Sequence, residues 1–340
     1  MNKILQLFEE EFVVEYFKQE LLPLYPAFKG IKRVVIEPYK KMVWETTYHV
    51  VIGFTVYFIA QDGREKKIPV VCSAHSDEPR ENVYAALKYL WAKKFSSHGV
   101  DLPRPLFYSE KFNGTFYRAI NGENLLHYIK EKDFANVEKI IIESAELFAK
   151  LHALPAGVEA NFNPINSRIR TVIPGTEMIF SEMTARYGDK YCPDLKKIYQ
   201  LFISQEEKFF NSGAQLKLIH GDAHPENIIK TSADRIGIID FTDLCLSDPA
   251  RDLGAFLQQL DYKIVMKMGN HEFADKMKKV FLSNYLISAG LDLSDDLQAR
   301  IDLYYNWTAI RTSTYWFLKF GHNEERAEAL LNTVKKNLKL

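Results

Sequence analysis

Between residues 216 and 254 the chain reads LKLIHGDAHPENIIKTSADRIGIIDFTDLCLSDPARDLG, a strand-and-loop insertion in a stretch otherwise patterned as long helices. A short apolar run, 216–219, ends in His220-Gly221-Asp222, and Asn227 follows five residues after Asp222. Residues 228–230 and 236–239 read as two short strands around the polar turn 231–235. With the hairpin centred between Ala233 and Asp234, Asn227 lies opposite Asp240. An amide oxygen and a carboxylate then point into one space. Such a hard-oxygen pair suits Mg²⁺, which is held by one or two carboxylates plus substrate phosphates. Asp222, on the loop leading in, is placed to accept a hydrogen bond from a substrate hydroxyl and orient it for in-line attack on a γ-phosphate. His220 and Gly221 take a structural part, glycine for a tight turn and histidine to hold it by hydrogen bonding.

The rest of the chain divides by texture. After an amphipathic opening helix, residues 31–39, 46–60 and 66–72 are dense in β-branched and aromatic side chains, with the Gln61-Asp62-Gly63-Arg64 turn between the last two. A helix is expected over 81–95 and a strand over 115–120, closed by Asn121-Gly122. Beyond that point the spacing predicts helices at 137–154, 194–211, 249–267, 272–289, 295–320 and 323–338. The expected organisation is α+β: a small β-rich lobe over 1–120, then a larger, mostly helical lobe over 121–340. At 340 residues the chain exceeds the size at which one core stops growing, which also argues for two lobes.

Charge excludes more than it selects. Forty-four basic residues balance 44 acidic ones, so wholesale binding of a nucleic-acid backbone is not indicated. Residues 1–120 carry a net +3 and 121–340 a net −3, too little to imply a polycationic ligand. Cys72, Cys192 and Cys245 are scattered and odd in number, which predicts reduced thiols rather than a disulfide framework or zinc site. The N-terminus lacks the apolar core of a signal peptide, and no run approaches a membrane span. A cytoplasmic protein with no nucleic-acid or membrane partner is expected, its oligomeric state left open.

HGDAHPEN, then IIDF, then SDPARDLG resembles the aminoglycoside phosphotransferase and choline kinase superfamily, small-molecule relatives of the protein kinases, whose pattern is H-G-D-x-x-x-x-N, I-D-F or I-D-W, and D-P-x-x-D-L. VDLPRPLFYSE, YRAINGENL and SAELFAKLHAL are similar to further family segments, so the resemblance runs from about residue 80 to 260. It implies a kinase-like fold, nucleotide binding by the first lobe, the catalytic loop and acceptor site in the second, ATP or GTP with Mg²⁺ as cofactors, and a small hydroxylated acceptor. By the same resemblance Asp222 is the catalytic base, Asn227 and Asp240 ligate Mg²⁺, Asp252 braces the catalytic loop, and Arg118, Ile120 and Asn121 offer hinge backbone to adenine. Thr242 stands where choline kinases usually carry a glutamate, which favours the antibiotic-phosphotransferase branch.

The small lobe departs from that pattern. The candidate turn between the first two strands, 38–44, has no glycine-rich loop, and the third strand, IPVVCSAH over 68–75, lacks the lysine that grips the α- and β-phosphates. Lys40 or Lys41 is expected to serve instead. The alternatives are a catalytically weak nucleotide-binding module and a choline or ethanolamine kinase. A protein kinase is disfavoured, since Asp248-Pro249 follows Asp240 with no room for an activation segment. Elsewhere plain structural readings stand. His152 reads as a satisfied helix-face histidine, His224 as an exposed loop residue, Asp243 as a solvated loop carboxylate, and Asp248-Pro249 as a helix cap. The aromatic run Tyr304, Tyr305, Trp307, Tyr315, Trp316 and Phe317 reads as core packing before it reads as a choline cage.

Overall fold

A computed structural model describes residues 2–97, 99–319 and 323–340. In chain order the first elements are α1 (Glu10–Glu20), β1 (Phe28–Val43), β2 (Tyr48–Ala60), β3 (Glu65–His75) and α2 (Glu81–Ala92). Then come β4 (Val100–Asp101), β5 (Arg104–Ser109), β6 (Gly114–Arg118), β7 (Glu123–Asn124), α3 (Leu125–Lys130), α4 (Phe134–Ala153), α5 (Thr176–Tyr187) and α6 (Cys192–Asn211). The insertion supplies β8 (Lys217–Ile219), β9 (Ile228–Ser232), β10 (Arg235–Ile238) and β11 (Cys245–Ser247). Four helices close the chain: α7 (Ala250–Met268), α8 (His271–Ala289), α9 (Asp295–Leu318) and α10 (Glu324–Leu338). The protein is thus α+β, with a sheet-rich N-terminal part and a mostly helical C-terminal part.

Contacts divide the chain into two compact units, residues 1–122 with 231–242, and residues 123–230 with 243–340. In the first, an antiparallel sheet runs in the order β1-β2-β3-β6-β5. Strand alternation decides its two faces. Tyr48, Val50, Ile52, Phe54, Val56 and Phe58 of β2 point to one side and pack against Val13 and Phe17 of α1. His49, Val51, Thr55 and Tyr57 point to the other. The expected turn at 38–44 is instead mostly strand: β1 continues to Val43, because its pairing with β2 carries through Lys40↔Val51 to Val43↔Tyr48. A register shift between Pro38 and Lys40 marks a bulge. The later segment is tied in by parallel pairing of Ile236 and Gly237 with Val100 and Asp101, and the Asp101 carboxylate accepts from Arg235 Nη2 at 2.6 Å.

In the second unit α7 packs on α8 and α9, α4 on α8, and α9 on α10. Gly254 lets α7 approach α9 closely, since a Cβ there would stand 2.6 Å from the Ile301 carbonyl and from the Tyr305 nitrogen. Among elements the periodicity does not announce, α5 buries only Ile179 and Met183, too sparse an apolar stripe to read. The short β11 pairs antiparallel with β8, and α3 spans fewer than two turns. The three cysteines are free and buried. No helix among the described residues is long and apolar enough to cross a membrane.

Glu206 of α6 is 1% exposed; its carboxylate accepts the Ile169 N–H at 2.8 Å and the Tyr304 hydroxyl at 3.1 Å. Burial outweighs these bonds and pushes its pKa up to about 7 from an ordinary 4.5. Between those values the unfolded chain releases a proton that the native protein keeps, so this group lowers stability as pH rises through that window. Glu206→Gln should remove that loss, on the order of 3 kcal/mol, from the difference between pH 4.5 and 7 in denaturant unfolding. An unchanged pH dependence would contradict the assignment.

Candidate active site

In the helical unit β8 delivers the chain into His220-Gly221-Asp222. Gly221 has φ +82°, and a Cβ on it would meet the Asp243 carbonyl at 2.2 Å. Glycine is therefore required twice, by conformation and by space. Asp252, in the first turn of α7 and fully buried, accepts the His220 N–H at 2.7 Å on Oδ2 and the Gly221 N–H at 2.9 Å on Oδ1. His152 Nε2 lies 3.1 Å from Oδ2, and His152 Nδ1 is 2.8 Å from the Tyr285 hydroxyl. Burial pushes the Asp252 pKa up, but His152, His220 and the backbone donors outweigh it and hold the carboxylate below its usual range. His152 is satisfied on its helix, and what satisfies it is the residue that fixes the loop. Asp248 accepts the Ala250 N–H at 3.0 Å from one position ahead of the N-cap residue Pro249.

Asp222 lies next, its side chain 44% exposed. His224, expected as an exposed loop residue, is instead part-buried between two carboxylates: Nε2 is 3.3 Å from Asp222 Oδ2 and Nδ1 is 3.0 Å from Glu226 Oε2. Glu226 also pairs with Lys263. Burial opposes charge along this row, yet the mutual attraction prevails. It raises His224 to about 10, lowers Glu226 to about 2 and holds Asp222 well below the usual carboxylate range. Asn227 is 5% exposed and donates its Nδ2–H to the Asp222 carbonyl at 2.9 Å, which leaves its side-chain oxygen for another partner. Asp243, read as a solvated carboxylate, accepts from Asn163 Nδ2 at 3.2 Å. A cavity of ≈ 530 Å³ opens at Asp222, walled by Gln259, Tyr262, Trp307, Arg311, Tyr315 and Trp316 among others. Tyr304 and Phe317 of the aromatic run are buried in the core.

In the first unit Asp240 sits at φ +64°, and its Oδ1 accepts the Thr242 hydroxyl at 2.8 Å, with Oδ2 unbonded among the described residues. The bulge in β1 turns Tyr39 and Lys40 to the same face. Tyr39 lies over Gly53, where a Cβ would be 2.7 Å from its ring, and Lys40 Nζ is 3.2 Å from His49 Nε2. The His49 and His75 rings are 4.7 Å apart. Arg80, 5% exposed at the start of α2, has Nη1 3.3 Å from Glu78 Oε2, and its Nε finds no hydrogen-bond partner among the described residues. The cluster repels itself. Burial and then Arg80 lower the Lys40 pKa against the pull of Asp240, and burial, Lys40 and Arg80 push His49 down to about 4. Lys41 belongs elsewhere: its Nζ is 4.3 Å from the Phe8 ring centroid, and the structure does not bring it to Lys40's face. Past Arg118 the backbone donates Ala119 N–H to the Pro69 carbonyl, while the backbone groups of Ile120 and Asn121 bond to none of the described residues. The Ile120 side chain rests on Gly237. Among the described residues no three His, Cys, Asp or Glu side chains converge as a metal cage.

A family model described as a phosphotransferase enzyme family, APH, matches residues 52–275. Three solved structures illustrate the likeness of fold. A choline/ethanolamine kinase family protein from Mesorhizobium loti is 14% identical with a TM-score of 0.57, over 95% of this chain and 93% of that one. The ternary complex of streptomycin, ATP and APH(2")-IIa is 14% identical with a TM-score of 0.56, over 95% of each chain. Spectinomycin phosphotransferase APH(9)-Ia in complex with ADP and spectinomycin is 12% identical with a TM-score of 0.53, over 96% and 94%. No curated protein matches the sequence.

Because Gly221 has neither room nor conformation for a side chain, Gly221→Ala should destabilise the protein by on the order of 2 kcal/mol or more in denaturant unfolding. A variant as stable as the parent would show that the loop relaxes freely.

Proposed function

The chain belongs to the phosphotransferase enzyme family, and on that premise we propose that this small-molecule kinase moves the γ-phosphate of ATP or GTP to a hydroxyl that Asp222 orients. The observation that carries this reading is the placement of Asp222. It stands at the mouth of a cavity, on a loop whose backbone Asp252 fastens, with one oxygen engaged by His224 and the other unbonded among the described residues. That second oxygen accepts the hydrogen of the acceptor hydroxyl. As the hydroxyl oxygen bonds to the γ-phosphorus and the bond to the bridging oxygen breaks, the proton passes to the carboxylate and the nucleoside diphosphate leaves.

The other roles follow residue by residue. Asp252 and His152 are positioning residues, and His220 lends its backbone. Asn227 and Asp240, each taken within its own unit, keep a side-chain oxygen that no described residue engages, and each is proposed as a Mg²⁺ ligand. A bound Mg²⁺ would neutralise triphosphate charge there. The open backbone of Ile120 and Asn121, reached from Arg118, suits the edge of a purine. Lys40, with Arg80 beside it, takes the phosphate-gripping part that the third strand leaves vacant, whereas Lys41 is withdrawn from it.

One observation favours a second reading, a nucleotide-binding module with little turnover: IPVVCSAH carries no lysine. Transfer of labelled γ-phosphate to a broad acceptor panel separates the two. Asp222→Asn should lower turnover by about 10²–10⁴-fold while leaving Mg²⁺–nucleotide affinity nearly unchanged. Nucleotide binding with no transfer to any acceptor would overturn the enzymatic reading. Lys40→Met should weaken nucleotide binding by about tenfold and Lys41→Met should not, as measured by calorimetry.

A further inference from the structure

The cavity beside Asp222 is walled in a way that selects its occupant by charge. The inference rests on the reading of Asp222 as the residue that orients the acceptor hydroxyl. Among the described residues lining this cavity Asp222 is the one carboxylate, and it is already paired with His224. Lys263, also on the wall, is neutralised by Glu226. Arg311 acts on Asp222 through its field alone, from beyond ion-pair distance, and helps to hold that carboxylate's pKa down. No carboxylate among the described residues lies in ion-pair contact with it, and its guanidinium rests 5.0 Å from the Trp307 ring centroid. Arg311 also lines a second cavity of ≈ 510 Å³, which shares Trp307 and Tyr315 as walls.

The aromatic walls add an independent observation. A cationic acceptor, whether a quaternary ammonium or an aminosugar, would be recognised through ring faces or carboxylates. Here the protein's own cations are already on the rings. Trp307 carries Arg251 at 4.9 Å as well as Arg311, Tyr262 carries Arg326 at 4.9 Å, and Tyr315 carries Lys319 at 5.3 Å. Trp316 has Lys319 at 4.0 Å and Arg326 at 4.2 Å. An entering cation would meet like charge on each ring and a single, engaged carboxylate.

We propose that the acceptor is a small hydroxylated anion, its carboxylate or phosphate group held by Arg311 while its hydroxyl is presented to Asp222. An aminoglycoside-like polycation and a choline-type substrate are both disfavoured by the same walls.

The test uses the full chain with Mg²⁺ and ATP or GTP. The anions are glycerate, gluconate and glycerol 3-phosphate; glycerol and glucose are neutral; ethanolamine, choline, glucosamine and kanamycin are cations. Thermal shift reads binding, and labelled γ-phosphate transfer reads turnover. The anions should raise the melting temperature and accept phosphate in preference to the rest. Arg311→Gln should raise KM for the preferred anion tenfold or more with a smaller change in kcat, and Arg311→Lys should restore part of it. A preferred cation or neutral compound, the absence of any response to the three anions, or a charge ranking unchanged in Arg311→Gln would each overturn the proposal. The ranking is read on the parent protein, so it stands even where a variant fails to fold. Asp222-dependent transfer to a cation would overturn the anion and leave the phosphotransferase reading intact. Anion binding without transfer to any acceptor would do the reverse.

Discussion

Asp252 places a carboxylate where no water reaches and gives its two oxygens to the N–H groups of His220 and Gly221 and to His152. A buried charge is tolerated only when its hydrogen-bonding capacity is met, so each of these donors is as necessary to Asp252 as Asp252 is to them. The consequence reaches outward. His152 comes from α4 and its other nitrogen meets Tyr285 of α8, so three helices register against one loop. Asp222, next along that loop, takes its position from this arrangement together with its own contacts to His224 and Asn227.

Charge is handled in opposite ways at the two candidate sites. Around Asp222 each acid finds a base, and the row Asp222, His224, Glu226 and Lys263 alternates in sign. On the sheet face of the first unit Lys40, His49, His75 and Arg80 crowd together, and burial first, then their mutual repulsion, lowers the affinity of Lys40 and both histidines for their protons. Repulsion of that kind is relieved when an anion comes to rest among the cations.

The long helices and the punctuation HGD…N…D were legible because they are local: a period of 3.6 residues, or fixed spacing along one loop. What the local sequence does not encode depends on neighbours brought in by the fold. His224 looked exposed because Pro225 follows it, yet Glu226 and Lys263 of α7 draw it in. Lys40 and Lys41 were indistinguishable in sequence, and a bulge at Pro38 to Lys40 together with Phe8 of the N-terminal segment separates them. Arg80 left no signal beyond being a lone cation ahead of a helix. The aromatic run of α9 divided as alternating helix faces require, Tyr304 and Phe317 inward, Tyr315 outward.

The chain leaves the helical unit after Lys230, completes an edge of the first unit, and returns at Asp243. Asp101 must therefore wait for Arg235, 134 residues later, before its carboxylate is paired, and Val100 for Ile236. As the chain emerges from the ribosome, the sheet of the first unit is complete while this edge stays open until residues 123–230 of the second unit have been made. Contacts so distant in sequence are slow to close, and an unpaired strand invites wrong partners in the interval. The segment that carries Asp240 is thus the last piece of the first unit to arrive, so completion of that unit is timed by synthesis of the helices α3 to α6 that lie between its two parts.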